Sequence, residues 1–365
     1  MKSPLNDIER AAGAAFKLYH NWELPEVFTD VIDEYQAVRQ AAGLFDLSSY
    51  GRLEITGPER ASFLHNMVSN DVKALKPGKG VYAALLTTHG KLLSDLYIFA
   101  QEDRLLVDTS AVTRETVFAT LNRFLVSEKA AITDASHRVA KLLLQGPRSF
   151  EWLNGWTPVP DLRPLDVATI FADGMHATIA RVSHTGEDGY ELTVPRENAA
   201  STWSRLRRLG VDLGATAVGM AAFNLLRVEA GIPWYGTDMD ESNIVLEAGL
   251  DHAISTTKGC YVGQETVARI TFRGQVNKKL TGLFIEGESA PPADSRVLRE
   301  GQTIGRVTSV VRSPALRRTI ALAYLHRDYL RPGERVEVEF GAATMPAEVT
   351  ALPFYRRPAS GDFAV

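Results

Sequence analysis

Two carboxylates and one thiol stand out in the sequence as groups able to do chemistry. Asp95 lies in KLLSDLYIF. In an extended strand Leu93, Asp95, Tyr97 and Phe99 share one face, because side chains alternate with a period of two. Both faces read as apolar, so the carboxylate is at least partly out of water and needs a partner. It is either an internal acceptor for backbone amides or an arginine, or a carboxylate held ready for a ligand amine or an acid–base step. Glu191, in EDGYELTV, shares a face with Thr193 and opposes Tyr190, Leu192 and Val194. A rigid carboxylate there can accept two parallel N–H bonds from a flat amidine-like group, guanidinium or aminopyrimidinone. On its own it reads as an exposed strand glutamate.

The thiol is Cys260, the one cysteine in 365 residues, within TTKGCYVGQE. Gly259 and Gly263, four apart, imply tight backbone, and QETVARI can begin a short helix. Cys260 would then precede a helix N-terminus with Lys258 beside it, and both features favour thiolate. Lone cysteines are often buried and inert, and local chemistry by itself leans that way. Arg227 and Glu229 sit late in a helical stretch, where a charge pair or a helix-end arginine is the ordinary explanation. Tyr82 and His184 lie near strands and mean nothing singly. The eight histidines show no HxxxH or HExxH spacing, and no Ser/His/Asp arrangement is present, so no metal site is expected. One cysteine cannot make an internal disulfide or, alone, a cysteine-based zinc or cluster site.

The elements that must position these groups follow from pattern. DVIDEYQAVRQAAG reads as a helix capped by Asp30 and ended by a left-handed Gly43. LFDLSSYGRLEITG reads as strands, and GPERASFLHNMVSND as a helix with Pro58 in its first turn. GVYAALLTTHGKLLSDLYIFA is a hairpin broken at His89-Gly90, and Ser110 caps a helix reaching Leu125. RVAKLLLQGP is a strand, WTPVPDLRPLD an irregular loop, and ATIARVSHTGEDGYELTVP a hairpin turning at Asp188-Gly189. A further helix covers Thr216 to Ala230, stopped by Gly231 and Pro233. Beyond about Gln275, short alternating segments suggest a β-barrel or sandwich.

Composition is that of an ordinary globular protein, with 45% hydrophobic and 23% charged residues. The net charge of -4 gives no electrostatic reason to bind nucleic acid or an anionic membrane. The N-terminus lacks a signal peptide's apolar core and no run approaches the ~20 apolar residues of a membrane span, so a cytoplasmic protein is expected. No GxGxxG or P-loop stands in a strand–helix context, which argues against Rossmann enzymes and NTPases.

Several of these segments resemble one family in the right order. GLFDLSSYGRLEITGPERASFLHNMVSNDV, SHTGEDGYEL, LRVEAGIPWYGTDM and PFYRRP are similar to signatures of the aminomethyltransferase (T-protein) of the glycine cleavage system, and the likeness covers nearly the whole chain. Within that superfamily, KGCYVGQE resembles the signature of YgfZ-type tetrahydrofolate-binding proteins, which support assembly or repair of iron–sulfur enzymes. The resemblance implies an α+β, three-domain cloverleaf around a central folate pocket. Residues 1–52 and 139–274 would form a discontinuous folate-binding body, 53–138 a second α+β subdomain, and 275–365 a C-terminal β-barrel. It implies that Glu191 holds the pterin, that Asp95 sits near the reactive folate nitrogens, and that Tyr82, His184 and Arg227 line the pocket. Lys258 would attract the glutamate tail of tetrahydrofolate, and Cys260 would be a working thiol.

There are departures from the T-protein pattern. Ser94-Asp95 replaces paired aspartates, Phe223-Asn224 replaces an arginine–aspartate pair, and His184 stands where an aromatic residue precedes TGEDG. The reading taken from the sequence is therefore a tetrahydrofolate-binding accessory protein with iron–sulfur enzymes or assembly factors as partners. The alternative is a tetrahydrofolate-dependent aminomethyltransferase, or a related methyltransferase, in which Asp95 orients or deprotonates the folate. A ligand-free interaction scaffold is the third possibility.

Overall fold

The computed structural model describes residues 1–287 and 289–357. Among them the apolar and alternating stretches pair into two open sheets, a ribbon and a closed barrel, with helices over the faces left uncovered. The first sheet runs β10 (Val167–Ala172), β11 (Met175–Arg181), β12 (Gly189–Pro195), β9 (Val139–Gln145), β3 (Gly43–Asp46), β13 (Thr216–Ala217). Strand β9 carries an unbroken Leu142-Leu143-Leu144 because both of its faces are buried. Leu142 and Leu144 pack under α1 (Asn6–Ala11), α5 (Ser149–Trp156) and α6 (Ala199–Gly210) with Leu5, Trp152, Trp203 and Leu206. Leu143 turns the other way, toward the centre, with Phe45.

The second sheet has the order β5 (Gly80–Leu86), β6 (Leu92–Ala100), β7 (Arg104–Thr109), β4 (Gly51–Thr56), β8 (Ala131–Asp134). Alternation along β6 puts Leu96 and Ile98 against α3 (Arg60–Met67) and α4 (Arg114–Phe124), where they meet Phe63, Leu64, Val117 and Leu121. Asp95, Tyr97 and Phe99 are thereby left on the central face. The barrel closes as β14 (Lys278–Ile285), β17 (Arg318–His326), β16 (Gln302–Ser313), β15 (Arg296–Arg299), β18 (Arg335–Phe340), β19 (Ala343–Thr350). A ribbon of β1 (Ala15–Tyr19) and β2 (Trp22–Val27), with α2 (Val31–Gln40) and α7 (Met220–Glu229), fills the space between. One apolar cluster draws Trp22, Tyr35, Phe45, Phe99, Phe223 and Tyr324 from all of these parts, so the sheets and the barrel share a centre. The last helix, α8 (Gln264–Arg273), follows the Cys260 loop.

Asp30 caps α2 as expected, its Oδ1 accepting from the backbone of Ile32 at 2.8 Å and Asp33 at 3.2 Å. Gly43 is not a left-handed terminator. It opens β3, and a Cβ there would stand 2.5 Å from Val38 and 2.6 Å from Val218 side chains, so close approach is what demands glycine. The expected helix from Thr216 starts only at Met220, because Thr216 and Ala217 pair in parallel with β3. Likewise α4 begins at Arg114, and the Ser110 hydroxyl accepts from Val112 N in the turn before it. Residues 358–365 of the expected barrel segment, including the final proline of PFYRRP, lie outside the described residues.

Candidate active site

Where the two sheets, α7 and the loop after it meet, they enclose a cleft of about 440 Å³, its open mouth included. Its walls are aromatic: Tyr50, Tyr82, Tyr97, Phe223 and Trp234. Its polar groups are Asp95, Ser110, His184 and Arg227. Four residues expected from the sequence, Tyr82, Asp95, His184 and Arg227, are thus brought together from three distant segments.

Tyr82 and Asp95 face each other across the β5–β6 hairpin, and the Tyr82 hydroxyl donates to Asp95 Oδ2 at 2.9 Å. The other oxygen, Oδ1, is buried without a partner. Burial pushes the Asp95 carboxyl above its ordinary pKa, opposed by the Tyr82 hydrogen bond. The Tyr82 ring is itself held, 4.8 Å from Tyr97 and stacked 5.1 Å from His252. Ser94, where paired aspartates would place a second carboxylate, turns to the opposite face and joins Thr109 and Thr113 in a hydroxyl cluster. The departure at Ser94 leaves the charge of the cleft unchanged.

His184 packs edge-on against Tyr97 and Tyr50, and its backbone N–H donates to Gln145 Oε1 at 2.9 Å. Its Nε2 is buried and unpartnered, 3.9 Å from Glu191 Oε2. Glu191 is not an exposed strand glutamate but is buried behind His184. Its Oε1 meets Lys141 Nζ at 2.9 Å and Arg52 Nη2 at 3.5 Å. Lys141 and Arg52 also bind Asp108, at 2.7 Å and 2.6 Å, closing a neutral quartet across the two sheets. Burial opposes ionisation of Glu191, yet Lys141, His184 and Arg52 hold it well below the usual carboxylate range. The quartet was missed in the sequence, although a lysine inside VAKLLLQ was its visible signal.

Arg227 is tied to Asp238 at 2.6 Å, to the Ile232 carbonyl at 3.1 Å and to the Ser309 hydroxyl at 2.8 Å. Its Nε remains buried and unpartnered, with the guanidinium 5.6 Å from the Trp234 ring centroid. Lys258 and Cys260 do not line the cleft. The Lys258 ammonium donates to the carbonyls of His65, Val68 and Asn70 at the end of α3, so its charge is not offered to a folate tail. Burial lowers its pKa to about 8. Cys260 is exposed, and the residues around it do packing work. Tyr261 is buried, and Gly263, at φ +82°, passes so near the β5–β6 turn that a Cβ would lie 2.4 Å from the Thr87 carbonyl. Among the described residues no cluster of three or more His, Cys, Asp or Glu could hold a metal. No helix among them is long and apolar enough to cross a membrane.

Two α/β sheets and a six-stranded barrel around an aromatic-walled cleft define the T-protein-like fold, and the comparisons agree. Residues 5–258 match the GCVT N-terminal domain and 278–356 the glycine cleavage T-protein C-terminal barrel domain. An aminomethyltransferase of Picosynechococcus sp. is 33% identical, over 97% of this chain and 98% of its own. Another, from Halalkalibacterium halodurans, is 32% identical over 98% of each. The crystal structure of glycine cleavage system aminomethyltransferase T from Bartonella henselae superposes with a TM-score of 0.90 at 25% identity, over 97% of this chain and 98% of that one. The chain belongs to the glycine cleavage T-protein family.

These relatives overturn the iron–sulfur accessory reading, since each of them, matched over nearly its whole length, is named an aminomethyltransferase. The physical basis for the correction lies in KGCYVGQE itself. Lys258, Tyr261 and Gly263 are required by packing, and the thiol stands in solvent outside the cleft. Iron–sulfur partners fall with that reading.

Proposed function

We propose that this protein is a tetrahydrofolate-dependent aminomethyltransferase. The observation that carries the reading is a pair of buried, unpartnered polar atoms on residues lining one cleft, Asp95 Oδ1 and Arg227 Nε, beside the His184 ring that Glu191 holds from behind. An acceptor and a donor among aromatic faces complement a flat heteroaromatic with both N–H and carbonyl edges, as a pterin has. Tyr82, Tyr97 and Trp234 would flank the ring, Arg227 would donate to it, and Asp95 would accept from it. Glu191 acts from behind, fixing the charge that His184 faces. Bound tetrahydrofolate would supply the nucleophilic nitrogen that takes up the one-carbon unit. Asp95 then holds or releases a proton at Oδ1 while Tyr82 pins Oδ2, so a single oxygen faces the reacting nitrogen. The aromatic walls keep water away from that exchange.

The test is formation of methylene-tetrahydrofolate from an aminomethylated lipoyl carrier, with release of ammonia and the free lipoyl thiol. Asp95→Asn is expected to lower kcat about 10²–10⁴-fold, the usual weight of one acid–base group, with folate affinity changed far less. A wild-type protein that binds folate but gives no product, or an Asp95→Asn variant of full activity, would refute the proposal.

A further inference from the structure

The opposite side of the first sheet holds a second set of unpaired polar atoms. Asp46 follows Leu44 on β3 by two, so both point into the core beneath α1, where Leu44 packs with Leu5. Glu9 lies four residues after Leu5 and three after Asn6, so helical spacing turns these side chains toward that same core. Ser3 ties the two elements, accepting from Leu5 N at 3.0 Å and donating to Asp46. Asn6, Glu9 and Asp46 are 2%, 0% and 3% exposed. Asn6 Oδ1, both carboxylate oxygens of Glu9, and Asp46 Oδ2 have no hydrogen-bond partner. Asn6 Nδ2 donates outward to Glu23 at 3.4 Å, which leaves its oxygen on the buried side.

Among the described residues no lysine, arginine or histidine pairs with Glu9 or Asp46, and Arg10, the nearest basic residue in sequence, is committed to Glu23 at 2.7 Å. Asp46 Oδ1 is satisfied by Ser48 N at 2.8 Å, but four enclosed oxygens, Asn6 Oδ1, both of Glu9 and Asp46 Oδ2, depart from the rule that buried polar atoms are paired. We infer that Asn6, Glu9 and Asp46 form part of an oxygen cage for a buried hard divalent cation, best matched by calcium, that ties α1 to the first sheet. The ligands are all oxygen, and two carboxylates neutralise one divalent charge. Magnesium, which sheds its water reluctantly, suits an enclosed cage less well than calcium.

The test uses the full chain, stripped with a chelator and titrated with calcium chloride by calorimetry, with melting followed alongside. One calcium per chain and a higher Tm are expected, with magnesium weaker and potassium without effect. Glu9→Gln should weaken calcium binding at least tenfold while leaving the circular dichroism unchanged. If that variant does not fold, metal analysis of wild-type protein equilibrated with calcium and desalted decides: one calcium per chain supports the cage and none overturns it. Binding unaltered in Glu9→Gln, or a high-resolution crystal of calcium-equilibrated protein with an ordered water only between these side chains, also overturns it.

Discussion

Asp95 has one oxygen bound by Tyr82 and one left free, and this asymmetry sets how its titration responds to its neighbours. Burial raises its pKa, and the Tyr82 hydroxyl opposes the rise by stabilising the ionised form. Removing that hydroxyl must raise the pKa further. If Asp95 works ionised, the acid limb of kcat/KM moves to higher pH in Tyr82→Phe, so activity at a fixed mildly acidic pH falls several-fold while the plateau is kept; an unmoved limb in paired pH–rate profiles would exclude this coupling. The sign for stability follows from the same shift. A carboxyl raised in the folded state contributes stability below its unfolded pKa, lost as pH rises through the folded value. Asp95→Asn should therefore melt higher than wild type at neutral pH, with the difference vanishing toward acid pH. At this scale the sequence was informative where a polar side chain interrupts an apolar strand, as at Asp95. It was blind to Glu191's partners, because Arg52, Asp108 and Lys141 come from three other strands.

The Thr256–Glu265 stretch does its visible work as an element. Lys258 anchors it by donating to three carbonyls that α3 and the turn after it leave open, and Tyr261 fastens the next residue but two. Lys258→Met keeps the stem but orphans those carbonyls. A loss of about 2–3 kcal/mol is expected from the weight of hydrogen bonds to a charged group, read from denaturant midpoints; a loss under about 0.5 kcal/mol, the size of an ordinary surface change, would deny the anchor. Cys260 contributes nothing to it. Most elements were legible from period and caps: the β5–β6 hairpin, the Asp30 cap and the alternating barrel strands. Two of the errors share one cause. Gly43 and Thr216 looked helical in context, yet β3 and β13 pair across 173 residues of chain (Thr216 with Gly43), and local pattern carries no trace of such a pairing.

Across the whole molecule the chain end closes what the central core begins. After the barrel, Phe354 packs on Phe284, Tyr355 N donates to the Glu229 carbonyl at 2.9 Å, and the Tyr355 ring lies 4.2 Å from the Arg39 guanidinium. Arg357 and Arg39 then grip Glu187 from two sides, each at 2.6 Å, and Arg39 also holds Glu229. Two arginines and two buried glutamates thus link α2, the TGEDG hairpin, α7 and the tail in one neutral network. TGEDG and PFYRRP could be recognised as family signatures, but their meeting, 170 residues apart, could not be read from either. Glu187 has no exposed surface, so Glu187→Gln leaves two cations facing a neutral amide in the interior. Breaking a buried pair by removing one partner costs about 3–5 kcal/mol, and that loss is expected in guanidinium unfolding. Arg357 is partly exposed, so Arg357→Met should cost less, and the double variant should show a non-additive coupling of about 0.5–3 kcal/mol. Folate affinity should stay within about twofold in Glu187→Gln, because Glu187 does not line the cleft. A stable Glu187→Gln protein would mean that the apolar centre alone joins the modules, whereas additive losses would mean that the tail and the hairpin are held independently.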